Sequence, residues 1–300
     1  MTPDSQIARG PTGQSAASSG HSIRRLPDRI AHRVRRLLNT PLRRSKFANL
    51  YHCTTQRAGS QWIKRVFADP LVRRFSGMPA WDYEDRCFSG GIDPRPITQR
   101  LDLAPFPERI IATPLYIDYP GYTAIPKNGP VRAFFVLRDP RDLVVSEYFS
   151  TRYSHALMGD IGTLRQQLEA VDEPRGMLLT LDTLHAYGTF ACQQSWIDAV
   201  ADPEVLVVRF EDMISDTGSV AWQRIFDHFD IRMPHFLLSK VLRKYSFSSL
   251  AGRSRGVEDK NAHYRKGVHG DWKNHFDDVL RARFNDLTGN LVQALGYDIE

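Results

Sequence analysis

Residues 131–149 read VRAFFVLRDPRDLVVSEYF. Val131 to Leu137 form an apolar run, as expected of a strand buried on both faces. Asp139 then suits a helix N-cap and Pro140 the first helical turn, so the spacing predicts a helix that continues to Phe149. Arg138 ends the strand, which puts it at the carboxyl edge of the sheet, where doubly wound sheets bind ligands. Ser146, two turns into the helix, can aim its hydroxyl at the same ligand. Arg141 and Asp142 read as capping and surface charges.

The same alternation continues outward. Strands are expected at Phe47 to Thr54, Arg109 to Ala112 and Val205 to Val208. Helices are expected at Ser60 to Ala68, Leu184 to Val200, Val220 to Phe229, Pro234 to Leu242 and Phe276 to Leu295. Residues 79–108, rich in Pro, Asp and Gly, read as a loop or lid, and residues 246–271 as a polar loop. Strands separated by helices imply an α/β fold with a central parallel sheet flanked by helices.

The chain has 300 residues and a net charge of +6. Residues 1–46 hold ten Arg and Lys against two acids, so they carry +8 and the rest of the chain −2. The basic character belongs to the leader, which argues against a nucleic-acid surface on the body. Residues 1–21 have the composition of disorder. From Ile23 to Lys46 the arginines alternate with apolar residues, which suits a basic amphipathic helix touching anionic lipid, or a targeting leader. The expected division is a leader at 1–46 and one catalytic domain at 47–300. Cys53, Cys87 and Cys192 are scattered with no zinc spacing, so neither a metal site nor a disulfide framework is expected. With no long apolar run, the expectation is a cytoplasmic protein, membrane-associated if the leader binds lipid.

Two further segments carry chemistry. HCTTQRAGSQWIKRVF, residues 52–67, runs strand, turn, helix. A helix N-terminus collects unpaired N–H groups and favours an anion. Gly59 allows close approach, Arg57 adds charge, and Ser60 and Gln61 add donors. The Walker pattern GxxxxGK[ST] is absent. RKGVHGDWKNHF, residues 265–276, sets Arg265 and Lys266 beside Gly267 and Gly270, an arrangement that suits a phosphate. Asp271, Trp272 and Asn274 read as cap and anchor residues for the terminal helix.

In this order and separation the three segments resemble the sulfotransferases that use 3′-phosphoadenosine 5′-phosphosulfate (PAPS), in the branch that includes the cytosolic enzymes. KGVHGDWKN is similar to the family's RKGxxGDWKN element. Arg138 to Ser146 resembles its 3′-phosphate element, and Gln56 to Trp62 its 5′-phosphosulfate loop PKSGTTW. Phe210-Glu211-Asp212-Met213 resembles YEDM, and Tyr187-Gly188 resembles the start of YGS. The resemblance covers roughly residues 47–295. It implies a fold related to the nucleotide kinases and sulfuryl transfer from PAPS to a hydroxyl on a small molecule, sugar or lipid. It implies that Arg57, Ala58, Gly59, Ser60 and Gln61 cradle the 5′-phosphosulfate and that Trp62 and Phe247 flank the adenine. Arg138, Ser146, Arg265, Lys266 and Gly267 would hold the 3′-phosphate.

The chain departs from the family at the reacting end. The loop lysine is Arg57, which neutralises charge on the leaving phosphate but cannot give up a proton. The strand ending KTHLP, whose histidine is the family's base, aligns with Ile111 to Leu115, which hold neither lysine nor histidine. The YEDM tyrosine is Phe210, and the KxxxTVxxxE signature is missing after Lys273. His155 and Glu84 are the leading candidates for the base, with His52, Asp85 and Asp118 behind them. His263 and His269 read as loop residues near the nucleotide. The alternative is a non-catalytic or ATP-using nucleotide-binding protein of related fold.

Overall fold

The computed structural model describes residues 40–97 and 105–299. The amphipathic helix and lipid contact expected of residues 23–46 lie outside these but for residues 40–46. That last piece is tied to the body. The Leu42 and Arg43 amides donate to the Arg74 carbonyl at 2.8 and 3.1 Å, and buried Ser45 donates through Oγ to the Phe229 carbonyl at 2.8 Å.

In chain order the elements are β1 (Asn49–Thr54), α1 (Ser60–Phe67), α2 (Pro70–Ser76), β2 (Ala80–Trp81), α3 (Tyr83–Ser89), β3 (Ile111–Tyr116), α4 (Tyr119–Ala124), β4 (Val131–Leu137) and α5 (Pro140–Phe149). A π-helical turn at Ser150–Ser154 extends α5. Then come α6 (Ile161–Glu169), α7 (Glu173–Ala186), α8 (Thr189–Ser195), β5 (Val205–Arg209), α9 (Phe210–Ile214), α10 (Gly218–His228), α11 (His235–Lys244), α12 (Phe247–Ala251), α13 (Asp278–Thr288) and α14 (Leu291–Ala294).

The five strands are all parallel and lie in the order β2-β3-β1-β4-β5. Every residue of β1 and β3 is buried, as an interior parallel strand requires. The chain leaves β1 towards β2 and β3, and leaves β4 the other way towards β5. The sheet therefore reverses direction between β1 and β4, and a crevice opens above their carboxyl ends. The α/β sheet expected from the sequence is the fold observed.

Several boundaries differ from the sequence expectation, each for a local reason. β3 runs on to Tyr116 because Cys53 and Thr54 of β1 pair with Leu115 and Tyr116, past the Thr-Pro that looks like a strand end. Within residues 79–108, Ala80 and Trp81 pair with Ile111 and Ala112, and Asp82 caps α3 by accepting from the Asp85 amide at 3.1 Å. The helix expected from Leu184 begins instead at Glu173, capped by Asp172, and breaks at Gly188, whose φ of 74° is left-handed. The terminal helix is two helices, split at Gly289 with φ 59°. Five residues of the polar 246–271 stretch form α12.

Arg141 and Asp142 are not surface charges. Both are buried. Arg141 pairs with Asp139, lies 3.6 Å from the Trp272 ring centroid, and donates to the carbonyls of Asp298 and Ile299. The Asp142 carboxylate accepts from the Gly270 amide at 2.6 Å and the Trp272 amide at 2.9 Å, so it fixes the distant 265–276 loop onto α5. Asp142→Ala would strip two buried amides of their acceptor. We expect it to cost about 1–3 kcal/mol of stability, read as a lower urea midpoint.

Candidate active site

β1 ends in a tight loop whose shape is set by two left-handed residues. Gly59, at φ 78°, adopts this freely, and it also lets the Phe210 ring close in, since a Cβ there would sit 2.7 Å from that ring. Arg57, at φ 66°, pays for the same geometry with backbone strain, of the kind concentrated at functional sites. The Arg57 carbonyl accepts from Arg138 Nη1 at 2.6 Å, so the end of β4 braces the loop at the end of β1. Among the described residues no side chain caps α1, which leaves its first amides free for a ligand in the crevice.

The Arg57 side chain reaches α5. Its Nε donates to Ser146 Oγ at 3.3 Å and lies 3.7 Å from Glu147 Oε2. Glu147 is buried and, among the described residues, otherwise accepts only from Thr151 Oγ1, at 3.2 Å. Burial pulls the Arg57 pKa down, the nearby Glu147 opposes this, and Arg138 adds to it. Arginine starts so high that it remains a cation throughout.

The third segment meets the first two across the crevice. Buried Asp271 accepts from Arg265, Lys266 and Asn274, and His275 adds a longer contact at 3.5 Å. Burial opposes its ionisation, but the bonds from His275, Lys266, Arg265 and Asn274 outweigh this and hold the carboxyl well below the usual range. Asp271 is therefore a clamp on the two cations rather than the expected helix cap. The cap of α13 is Asp277, which accepts from the Leu280 amide. Arg265 also pairs with Glu258 and lies 4.3 Å from the Phe149 ring centroid. Gly267 packs against Phe247 so closely that a Cβ would fall 2.4 Å from the ring.

Arg57, Arg138, Arg265 and Lys266 thus line one open cavity of ≈ 1050 Å³, mouth included. Gly59, Ser60, Gln61, Trp62, Ser146, Phe247 and Gly267 line it as well. Of the residues expected at a nucleotide only Ala58 is absent from the lining, because its side chain is wholly buried in the core. Trp62 meets Phe210 and Trp222 edge-on, so it serves core and cavity together.

The residues fit a nucleotide with two phosphate ends. The buried Nε of Arg138 and both amide atoms of Gln56 lack a partner among the described residues. Such groups call for a ligand or water. Trp62, Phe210, Ile214, Tyr245, Phe247 and Leu250 give the cavity an aromatic and apolar lining suited to a base.

The candidate bases are distributed unevenly. His52 is fully buried, held by Thr113 Oγ1 at 2.8 Å and stacked on Phe134, with its pKa pushed down to about 3 by burial. It is a core histidine. Glu84 lies beside the loop but is committed to Gln61 Nε2 at 2.5 Å, Tyr116 Oη at 3.2 Å and Lys64 Nζ at 3.3 Å. Tyr116 Oη also meets Ser60 Oγ at 3.0 Å, and burial raises its pKa well above the ordinary value. His155 follows the π-turn, outside the cavity lining, with Nδ1 at 2.9 Å from the Ala156 carbonyl. Asp118 caps α4, accepting from the Gly121 amide. Asp85 lies in the first turn of α3.

Sequence reasoning did not reach Glu147 as the partner of Arg57, nor Asp142 as the anchor of the third segment. It passed over Phe210 as a mere departure, although the ring packs on Gly59 and carries the Arg138 guanidinium 4.7 Å from its centroid. The lone glutamate next to Ser146, in an otherwise apolar stretch of helix, was the available signal.

Comparison with known proteins agrees with this geometry. The sulfotransferase domain model matches residues 122–296, more than half of the chain. Sulfotransferase 6B1 of Danio rerio is 25% identical over 64% of this chain and 64% of its own length. Sulfotransferase 2B1 of Mus musculus is 25% identical over 80% of this chain and 70% of its own length. The 3-alpha-hydroxysteroid sulfotransferase of Cavia porcellus is 25% identical over 78% and 80%. In fold, a mouse sulfotransferase complexed with PAP superposes with a TM-score of 0.54 at 17% identity, covering 88% of this chain and 90% of that one. The coordinating loops, the parallel sheet and the sequence match lead to one conclusion: this chain is a member of the sulfotransferase family.

Proposed function

We propose that the protein transfers a sulfuryl group from PAPS to the hydroxyl of an apolar small molecule, releasing adenosine 3′,5′-bisphosphate. The convergence of Arg57, Arg138, Arg265 and Lys266 on one cavity with an aromatic slot carries this reading. PAPS supplies the activated sulfuryl group when it is bound. Arg138, Ser146, Arg265, Lys266 and the Gly267 backbone hold the 3′-phosphate. The first amides of α1, with Ala58 and Gly59 in the loop and the Ser60 and Gln61 side chains, hold the 5′ end. Trp62 and Phe247 flank the adenine. Arg57 stabilises the negative charge that develops on the departing phosphate oxygen, in a preorganised and partly dry setting.

The acceptor class follows from the rim. Tyr153, Leu157 and Met158 are exposed in the same stretch of chain as Phe149, Ser150 and Ser154, which line the cavity. Exposed apolar side chains beside a site favour an apolar ligand. Two of the relatives are named for hydroxysteroids, and one neighbour in fold is retinol dehydratase in a complex with retinol and PAP. The acceptor is accordingly a lipid-like alcohol rather than a sugar. Among the described residues no helix is long and apolar enough to cross a membrane.

Isothermal calorimetry with adenosine 3′,5′-bisphosphate and with ATP separates this reading from an ATP-using one. The bisphosphate should bind at least about tenfold more tightly, the scale of one charge-assisted hydrogen bond to the 3′-phosphate. Equal or tighter ATP binding would overturn it. Two variants tune the same site. Glu258→Gln frees Arg265 from a competing carboxylate and should tighten bisphosphate binding. Gly267→Ala drives a methyl into Phe247 and should weaken it, in the same titration.

A further inference from the structure

The departure at β3 leaves the reaction without a histidine on that strand, yet an acceptor hydroxyl must lose its proton. The cavity itself holds a histidine. His263, in the loop between α12 and the Arg265–Lys266 pair, lines the same cavity as Arg57, Ser146 and Ser154. Its ring meets Tyr264 edge-on at 4.9 Å, and among the described residues neither ring nitrogen has a hydrogen-bond partner. The other candidates are differently placed. Glu84 is bound by three donors, His155 is turned to a backbone carbonyl outside the lining, and His52 is sealed in the core.

The geometry points to His263 as the general base that takes the proton of the acceptor hydroxyl. This rests on the sulfuryl-transfer reading. In the step, the acceptor O–H bond breaks and its proton goes to a ring nitrogen of His263. The acceptor oxygen forms its bond to sulfur. The electron pair of the breaking bond between sulfur and the bridging oxygen stays on the 5′-phosphate of the departing nucleotide, beside Arg57.

The surroundings suit the role. Arg57 from the first loop, Arg65 from α1, His155 from beyond α5, and Lys260 and Tyr264 from its own loop are charged or titratable groups around it. His263 is exposed to the cavity, and desolvation by the surrounding protein and then Arg57, His155 and Arg65 lower its pKa, so the ring is neutral and able to accept a proton near pH 7. A bound polyanion offsets those cations. The imidazolium then becomes easier to form, which raises the pKa towards the working range.

Two measurements on the full chain test this. The first follows the His263 ring signal by NMR, identified by its loss in His263→Gln, through a pH titration with and without adenosine 3′,5′-bisphosphate. The free chain should titrate below the ordinary histidine value and the complex higher. An identical midpoint in both overturns the assignment. The second compares His263→Gln with His155→Gln. His263→Gln should lower kcat by about 10²- to 10⁴-fold, with bisphosphate affinity unchanged in calorimetry. Wild-type kcat in His263→Gln, or the loss falling on His155→Gln instead, overturns it. A wild-type chain that transfers sulfuryl groups to no alcohol overturns the sulfuryl-transfer reading itself, and the base assignment with it.

Discussion

Arg57→Ala is expected to lower kcat by about 10²- to 10³-fold, the range seen when one preorganised donor to a developing oxyanion is removed. The side chain sits at the mouth of the phosphate loop, held to Ser146 and Glu147 of α5, and its backbone is strained into place. The same variant should also be less stable, by about 1–3 kcal/mol, because Glu147 is left buried with only Thr151 as a donor among the described residues. The two effects separate in the double variant Arg57→Ala/Glu147→Gln. Removing the stranded charge should restore the urea midpoint and leave turnover depressed. Turnover that recovers along with stability would mean that Arg57 is structural only.

Arg138→Ala should weaken adenosine 3′,5′-bisphosphate binding by about 1.5–3 kcal/mol, roughly 10- to 150-fold. Arg265→Ala should do the same. The reason at Arg138 is a buried Nε, at the carboxyl end of β4, without a hydrogen-bond partner among the described residues. Its Nη1 braces the Arg57 carbonyl and its plane lies over Phe210, so the variant should also lower kcat. Lysine cannot replace it, since one ammonium cannot serve the loop carbonyl, the ring and a phosphate in the geometry of a guanidinium. Adenosine 5′-monophosphate is the control. Its affinity should fall less, because the proposed direct contact is with the 3′-phosphate and the 5′ end loses only the brace on the Arg57 loop. Calorimetry that shows equal losses for both nucleotides would place Arg138 elsewhere.

Much of this candidate site was legible in the sequence because the groups proposed to bind the nucleotide sit in short contiguous segments. Arg138 and Ser146 belong to one strand-helix unit, Arg57 to Trp62 to one turn, and Arg265 to Gly267 to one loop. The parallel sheet was legible for the same reason, since Val131 to Leu137 and Val205 to Val208 are apolar runs bounded by turns. What escaped depends on contacts between distant residues. Asp142 looks like a surface charge until the Gly270 and Trp272 amides arrive from a loop some 130 residues on. Glu147 reads as an ordinary helix glutamate until the turn after β1 brings Arg57 to it. Asp271 passes for a cap because the pattern cannot tell a carboxylate that caps a helix from one that clamps Arg265 and Lys266. The far end of β3 hid behind Thr113-Pro114, where register with β1 outweighs local propensity. The base was the hardest to read. Its family position is empty, and only the folded loop shows that His263 faces the cavity.

The central claim is sulfuryl transfer from PAPS, and the most direct test follows the sulfur. The full chain is incubated with PAPS labelled in its sulfate and a set of apolar alcohols, sterols among them, and the organic phase is counted. The account predicts label in an alcohol sulfate with stoichiometric release of adenosine 3′,5′-bisphosphate, abolished in Arg57→Ala. Bisphosphate bound tightly with no label transferred to any alcohol would contradict it, and would make the protein a nucleotide-binding member of its family instead.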